Sequence, residues 1–125
     1  MSLKANVRRA GDVQIVDLAG RITLGEGSGL LRNTIKDLVT GGQKNILVNL
    51  KDVTYLDSAG LGELVGSYAS VTNAGGNIKL LNAQSKVHDL LQITKLYTVF
   101  AAFDDEPEAL RSFAVAASGG GKLFL

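Results

Sequence analysis

The chain has 125 residues, enough for one two-layer core and too few for two. Apolar residues make up 46%, the share of a folded globular protein, and the absence of Cys excludes disulfides and thiolate metal sites and fits a reducing cytoplasm. Thirteen Lys and Arg against twelve Asp and Glu leave a formal charge of +1 with no basic stripe, so no nucleic-acid partner is expected.

No apolar run approaches the roughly 20 residues that cross a bilayer, so no membrane insertion is expected. The opening MSLKANVRRAG carries charge without a following apolar stretch, so a signal peptide is not expected either. The single histidine, His88, cannot support a site that needs two imidazoles, and no cofactor or metal is expected.

In chain order, Ala5 to Ala10 and Val13 to Leu18 are β-capable runs joined by Gly11-Asp12, which suits a tight hairpin turn. A glycine-rich loop, GRITLGEGSG, spans Gly20 to Gly29. Leu30, Leu31, Ile35, Leu38 and Val39 then share one helical face, and Gly41-Gly42 supplies a left-handed stop. Asn45 to Leu50 is a short apolar run with β-branched residues, the pattern of a strand covered on both faces.

After Ser58 the spacing turns helical through Leu61, Leu64, Val65, Tyr68 and Thr72, ending at Gly75-Gly76. Asn77 to Leu81 is a further strand, and a short helix from about Ser85 to Thr94 turns Val87, Leu90 and Leu91 inward. Thr98 to Phe103 is expected to be the last strand. A final helix opens at Asp104-Asp105, with Pro107 in its first turn and Leu110, Phe113, Ala114 and Ala117 at helical spacing. Residues 118–125 are expected to form a flexible tail behind a domain of residues 1–117.

The order β-β-α-β-α-β-α-β-α predicts a single α/β domain. Its sheet is mixed and mostly parallel, with about five strands, about four helices and an antiparallel hairpin at the N-terminal edge. In such folds chemistry gathers where strand ends meet helix starts, and Asp57-Ser58 lies at such a junction.

Ser and Asp are preferred helix N-caps, so Ser58 reads first as a cap. Gly60 and Gly62 complicate that reading, because each weakens the first helical turn by up to about 1 kcal/mol relative to alanine. Either they allow the helix to pack closely on the sheet, or they leave backbone amides open to an anion at the positive end of the helix dipole. A phosphate on Ser58 would meet those amides, with Asp57 beside it opposing the charge.

VNLKDVTYLDSAGLGEL, followed by GGNIKLLNAQSKVHDLLQITKLYTVFAAFDDEPEAL, resembles the STAS domain of anti-sigma factor antagonists from the opening hairpin to Leu110. The resemblance implies a non-enzymatic, cytoplasmic switch in which Ser58 is the phosphoacceptor and Asp57 its acidic neighbour. Gly60, Leu61 and Gly62 would begin the docking helix. It implies two partners: an anti-sigma factor that is also a serine kinase, released on phosphorylation, and a PPM-type serine phosphatase that reverses the modification. Ala59 stands where a second hydroxyl residue is common in the family, which leaves Ser58 the only local acceptor. Thr23 stands where many members carry an acidic residue, in a loop that lies near the site and joins the partner-binding set.

Other readings are weaker. STAS domains also serve as subunits of lipid-transport ABC systems, as stress-signalling scaffolds and as parts of anion transporters. A serine hydrolase would want Gly-x-Ser-x-Gly, but Leu56 fills the first glycine position and His88 is the sole base. GEGSGLL lacks the Lys-Ser/Thr of a P-loop.

Overall fold

A computed structural model of the chain describes residues 3–120, with side chains for all of these except Ser85 and 115–120. Its elements are β1 (Lys4–Ala10), β2 (Val13–Ile22), α1 (Glu26–Thr40), β3 (Asn45–Leu56), α2 (Ser58–Asn73), β4 (Asn77–Leu81), α3 (Ser85–Ile93), a 3-10 turn (Leu96–Thr98), β5 (Ala102–Phe103) and α4 (Glu106–Gly120). The five strands lie side by side in chain order. β1 runs antiparallel to β2, and the remaining pairings are parallel. This is the expected mixed α/β sheet with an N-terminal hairpin.

Alternation along β3 explains the layering, because successive strand side chains point to opposite faces. Ile46, Val48 and Leu50 join a core with Leu31 and Ile35 of α1, Leu64 and Val71 of α2, and Val87 and Leu91 of α3. Leu47 faces the other way and meets Ile15, Leu81, Ala109 and Phe113 beneath α4. The antiparallel pairing Ala10↔Val13 places Gly11, at φ +60°, in the hairpin turn. Gly42 at φ +86° ends α1, and Gly75 at φ +83° follows α2.

α4 is also tied to the hairpin by charge. Arg8 donates to both oxygens of Asp17, at 2.6 and 3.2 Å, and to both oxygens of Glu106, at 2.6 and 3.0 Å. Asn49 completes the network with a 2.8 Å bond to Asp17. At the sheet's outer edges, β1 presents Lys4, Arg8 and Arg9, whereas β5 has only two residues.

Several expectations change. β2 and β3 run on to Ile22 and Leu56, several residues beyond their apolar stretches. The loop expected over Gly20 to Gly29 is partly strand and partly the first turn of α1. Gly27 is buried there, where a Cβ would sit 2.8 Å from the Arg21 carbonyl. Of the strand expected over Thr98 to Phe103 only Ala102–Phe103 forms; Thr98 ends the 3-10 turn, and residues 99–101 are irregular. Phe100 instead enters the core edge-on to Tyr68, with ring centroids 5.5 Å apart. Val65, Thr72 and Ala114 are exposed rather than inward. α4 reaches Gly120; the rest of the expected tail, residues 121–125, and the side chain of Ala117 lie outside the described residues.

Candidate functional site

β3 ends at Leu56, and the chain turns through Asp57 into α2, which places Ser58 at the carboxyl end of a central strand. Asp57, not Ser58, is the N-cap. Its backbone is extended at φ −95° and ψ −175°, and its Oδ1 accepts the Gly60 N–H at 2.8 Å. The second oxygen, Oδ2, accepts the Leu24 N–H at 3.0 Å from the loop before α1. These bonds, Gly60's foremost and then Leu24's, hold the Asp57 carboxyl below its ordinary range.

Ser58 is the first helical residue. It is exposed, and its hydroxyl makes no hydrogen bond among the described residues. The amide that an added anion would seek at Gly60 is already taken by Asp57. Of the amides expected to stand open at the helix start, that of Gly60 is therefore satisfied by the neighbouring carboxylate.

The two glycines separate cleanly. Gly60 is buried, and a Cβ there would lie 2.1 Å from the Ile22 carbonyl oxygen and 2.8 Å from Leu56 Cδ1. Close helix–sheet packing therefore requires it. Gly62 is exposed, with nothing within 4 Å of a Cβ, so it leaves a bare patch on the outer face of α2. Ala59 is half-buried, and Leu61 packs partly against the larger core.

The structure brings the 23–25 loop to this helix start. Thr23 is half-buried and its carbonyl accepts the Ser28 N–H at 2.9 Å, closing the turn into α1. Next to it, Leu24 is 79% exposed. Sequence reasoning passed over Leu24; an isolated large apolar residue between a threonine and a glycine in a loop was the available signal. Tyr55, also exposed, carries the Arg21 guanidinium 4.6 Å from its ring centre. One turn into α2, Glu63 accepts from the Arg32 guanidinium of α1.

Residues named for other chemistries do not converge here. His88 sits exposed on α3 with its ring 5.5 Å from that of Tyr97, and it makes no hydrogen bond with Ser58. GEGSGLL forms the first turns of α1, with Ser28 buried and bonded to the Gly25 carbonyl at 3.3 Å. Among the described residues no group of three or more His, Asp or Glu could hold a metal, and no helix is long and apolar enough to cross a membrane.

Residues 4–109 match the family model described as the STAS domain. An anti-sigma F factor antagonist of Paenibacillus polymyxa is 28% identical over 116 residues, covering 92% of this chain and 98% of that protein. An anti-sigma-B factor antagonist of Bacillus subtilis is 35% identical over 97 residues, covering 77% and 86%. The crystal structure of an anti-sigma factor antagonist from Mycobacterium paratuberculosis superposes with a TM-score of 0.80 at 20% identity, covering 90% of this chain and 94% of that one, a likeness of fold. The chain belongs to the STAS domain family.

Proposed function

We propose that this chain is an anti-sigma factor antagonist, acting in the cytoplasm through a STAS module of residues 1–117 and switched by phosphorylation of Ser58. Unmodified, it binds an anti-sigma factor that is also a serine kinase; phosphorylated, it lets go until a PPM-type phosphatase removes the group. The names of the curated relatives support the antagonist role. The observation that carries the switch is the Ser58 hydroxyl, exposed and without a hydrogen-bond partner among the described residues at the head of α2.

The geometry favours release over rearrangement. A phosphoserine adds roughly −1.5 to −2 charges at pH 7. Because Asp57 already occupies the Gly60 and Leu24 amides, the new charge would stand beside a carboxylate and outside the cap. Buried in an interface, it would carry an uncompensated desolvation cost. A loss of about 3 kcal/mol corresponds to roughly a hundredfold in affinity.

The test is binding of the host's purified anti-sigma factor to wild type, Ser58→Ala and Ser58→Asp, each checked for folding by circular dichroism. Wild type and Ser58→Ala should bind alike, and Ser58→Asp should bind about a hundredfold more weakly. Equal binding by folded Ser58→Asp would sink the switch. Co-purification of a transporter ATPase with wild type and Ser58→Asp alike would place the chain in lipid transport instead.

A further inference from the structure

α1 and α2 follow neighbouring parallel strands and lie side by side on one face of the sheet. They do not close fully on each other. Between them runs a trough of about 430 Å³, within the size range of small-molecule sites. Its floor is formed by Ile35 and Ser67, both buried, with half-buried Val39 beside them. The gap arises because α2 offers small residues here. Gly66 lines the mouth, with no atom within 4 Å of where a side chain would begin.

The trough is apolar inside and charged at its lip. The Ser67 hydroxyl already donates to the Glu63 carbonyl at 2.8 Å, so the floor presents carbon. Both walls are helix flanks, whose backbone amides and carbonyls bond within the helices. A ligand rich in hydroxyls or ring nitrogens would leave those groups unmet, at a cost. Arg32 and Glu63 bridge one end at 3.0 Å. Lys36, on the next turn of α1, is exposed and has no carboxylate partner among the described residues. The lining therefore carries one cation in excess. From Arg32 to Thr40 it extends about 12 Å at about 1.5 Å per residue, the reach of a medium-length acyl chain.

We infer that this trough binds a free medium-chain carboxylate, its chain over Ile35, Val39 and Ser67 beneath Gly66 and its head group on Lys36. Charge selects the anion, and the dry floor selects the chain. The volume has room for one chain, not for both chains of a membrane lipid. The inference does not rest on the proposed function, since none of these residues belongs to the Asp57-Ser58 junction.

The experiment is calorimetric and NMR titration with decanoate, below its micellar concentration, of wild type, Lys36→Ala, Gly66→Leu and Ile93→Ala. Gly66→Leu fills the mouth at an exposed helical position where leucine also favours the helix, so the fold is retained. Ile93, 77% exposed on α3, is the control for an apolar side chain elsewhere. Wild type should bind decanoate saturably and shift the amides of Ile35, Val39 and Ser67. Gly66→Leu should bind at least about tenfold more weakly, Lys36→Ala about threefold to fivefold more weakly, and Ile93→Ala as wild type. Decyltrimethylammonium, with the same chain and the opposite charge, and butyrate, with the same head and a short chain, should each bind at least about tenfold more weakly than decanoate. Decanoate binding that does not saturate, or that is undiminished in Gly66→Leu, overturns the inference. Equal affinity for decyltrimethylammonium or butyrate overturns it too. So does binding to phosphatidylglycerol vesicles without binding to monomeric decanoate, which would make this face a membrane contact instead.

Discussion

Asp57 holds Leu24 from the far side of the junction: Oδ2 takes the Leu24 N–H at 3.0 Å while Oδ1 takes the Gly60 N–H at 2.8 Å. One carboxylate thus caps α2 and fixes the loop into α1, so the phosphoacceptor and its neighbouring loop share a single support.

Removing that support should loosen both elements. Asp57→Ala is expected to lower the urea midpoint and to speed amide exchange at Leu24 and Gly60 together; Asp57→Asn retains one acceptor oxygen and should lie between. The sign of the pH dependence follows from the lowered carboxyl. Its contribution is present above the ordinary carboxyl value of about 3.9 and is lost as pH falls through the lower folded-state value. The midpoints of wild type and Asp57→Asn, measured from pH 7 down to pH 2, should therefore converge in acid.

Gly60→Ala and Gly62→Ala should move stability in opposite directions. The first forces a methyl group against the Ile22 carbonyl and Leu56, and overpacking of this kind costs roughly 1–3 kcal/mol or more. The second meets open space and should gain up to about 1 kcal/mol of helix propensity. Urea denaturation of the two variants decides it. Equal effects would refute the close approach of Gly60 to the Ile22 carbonyl.

The Arg8 network predicts a local, salt-sensitive anchor for α4. Arg8, Asp17 and Glu106 are all partly exposed, so Arg8→Ala should cost no more than about 1 kcal/mol, and less in 1 M NaCl. Burial pushes the Asp17 carboxyl up, but the bonds from Arg8 and Asn49 together bring it below its ordinary value; the Arg8 bond does the same for Glu106. The stabilisation is then complete above about pH 4–5 and fades as pH falls through the folded-state values. Amide exchange in α4, compared between wild type and Arg8→Ala at pH 7 and in acid, should show a difference that shrinks in acid.

The parts legible in the sequence were those with strong local signals. The apolar run Asn45 to Leu50, the Gly11-Asp12 turn and the glycine stop after α1 appear where their residues place them. The ends of β2 and β3 were not, because Gly20 and Asp52 are held there by ladder pairing, and Thr54 by its hydroxyl on the Gly20 carbonyl, rather than by a buried side-chain pattern. The run Thr98 to Phe103 had strand composition, yet Phe100 is drawn into the core and only Ala102 and Phe103 reach the ladder. Gly60 and Gly62 are indistinguishable as letters; what separates them is the carbonyl of Ile22, a contact made only by the fold. Asp57 as the cap, with Ser58 left free, likewise depended on which oxygen reached which amide.

The two edges of the sheet have a consequence beyond this site. An unpaired strand edge is a template onto which another chain can add, and long flat edges invite such growth. Here the long edge, β1, carries Lys4, Arg8 and Arg9, and the opposite one, β5, offers just two residues. A second copy meeting β1 would bring Lys4 and Arg9 against a like-charged edge, and one meeting β5 would find a ladder of only two residues. Both edges of the sheet thus oppose its extension by a second copy.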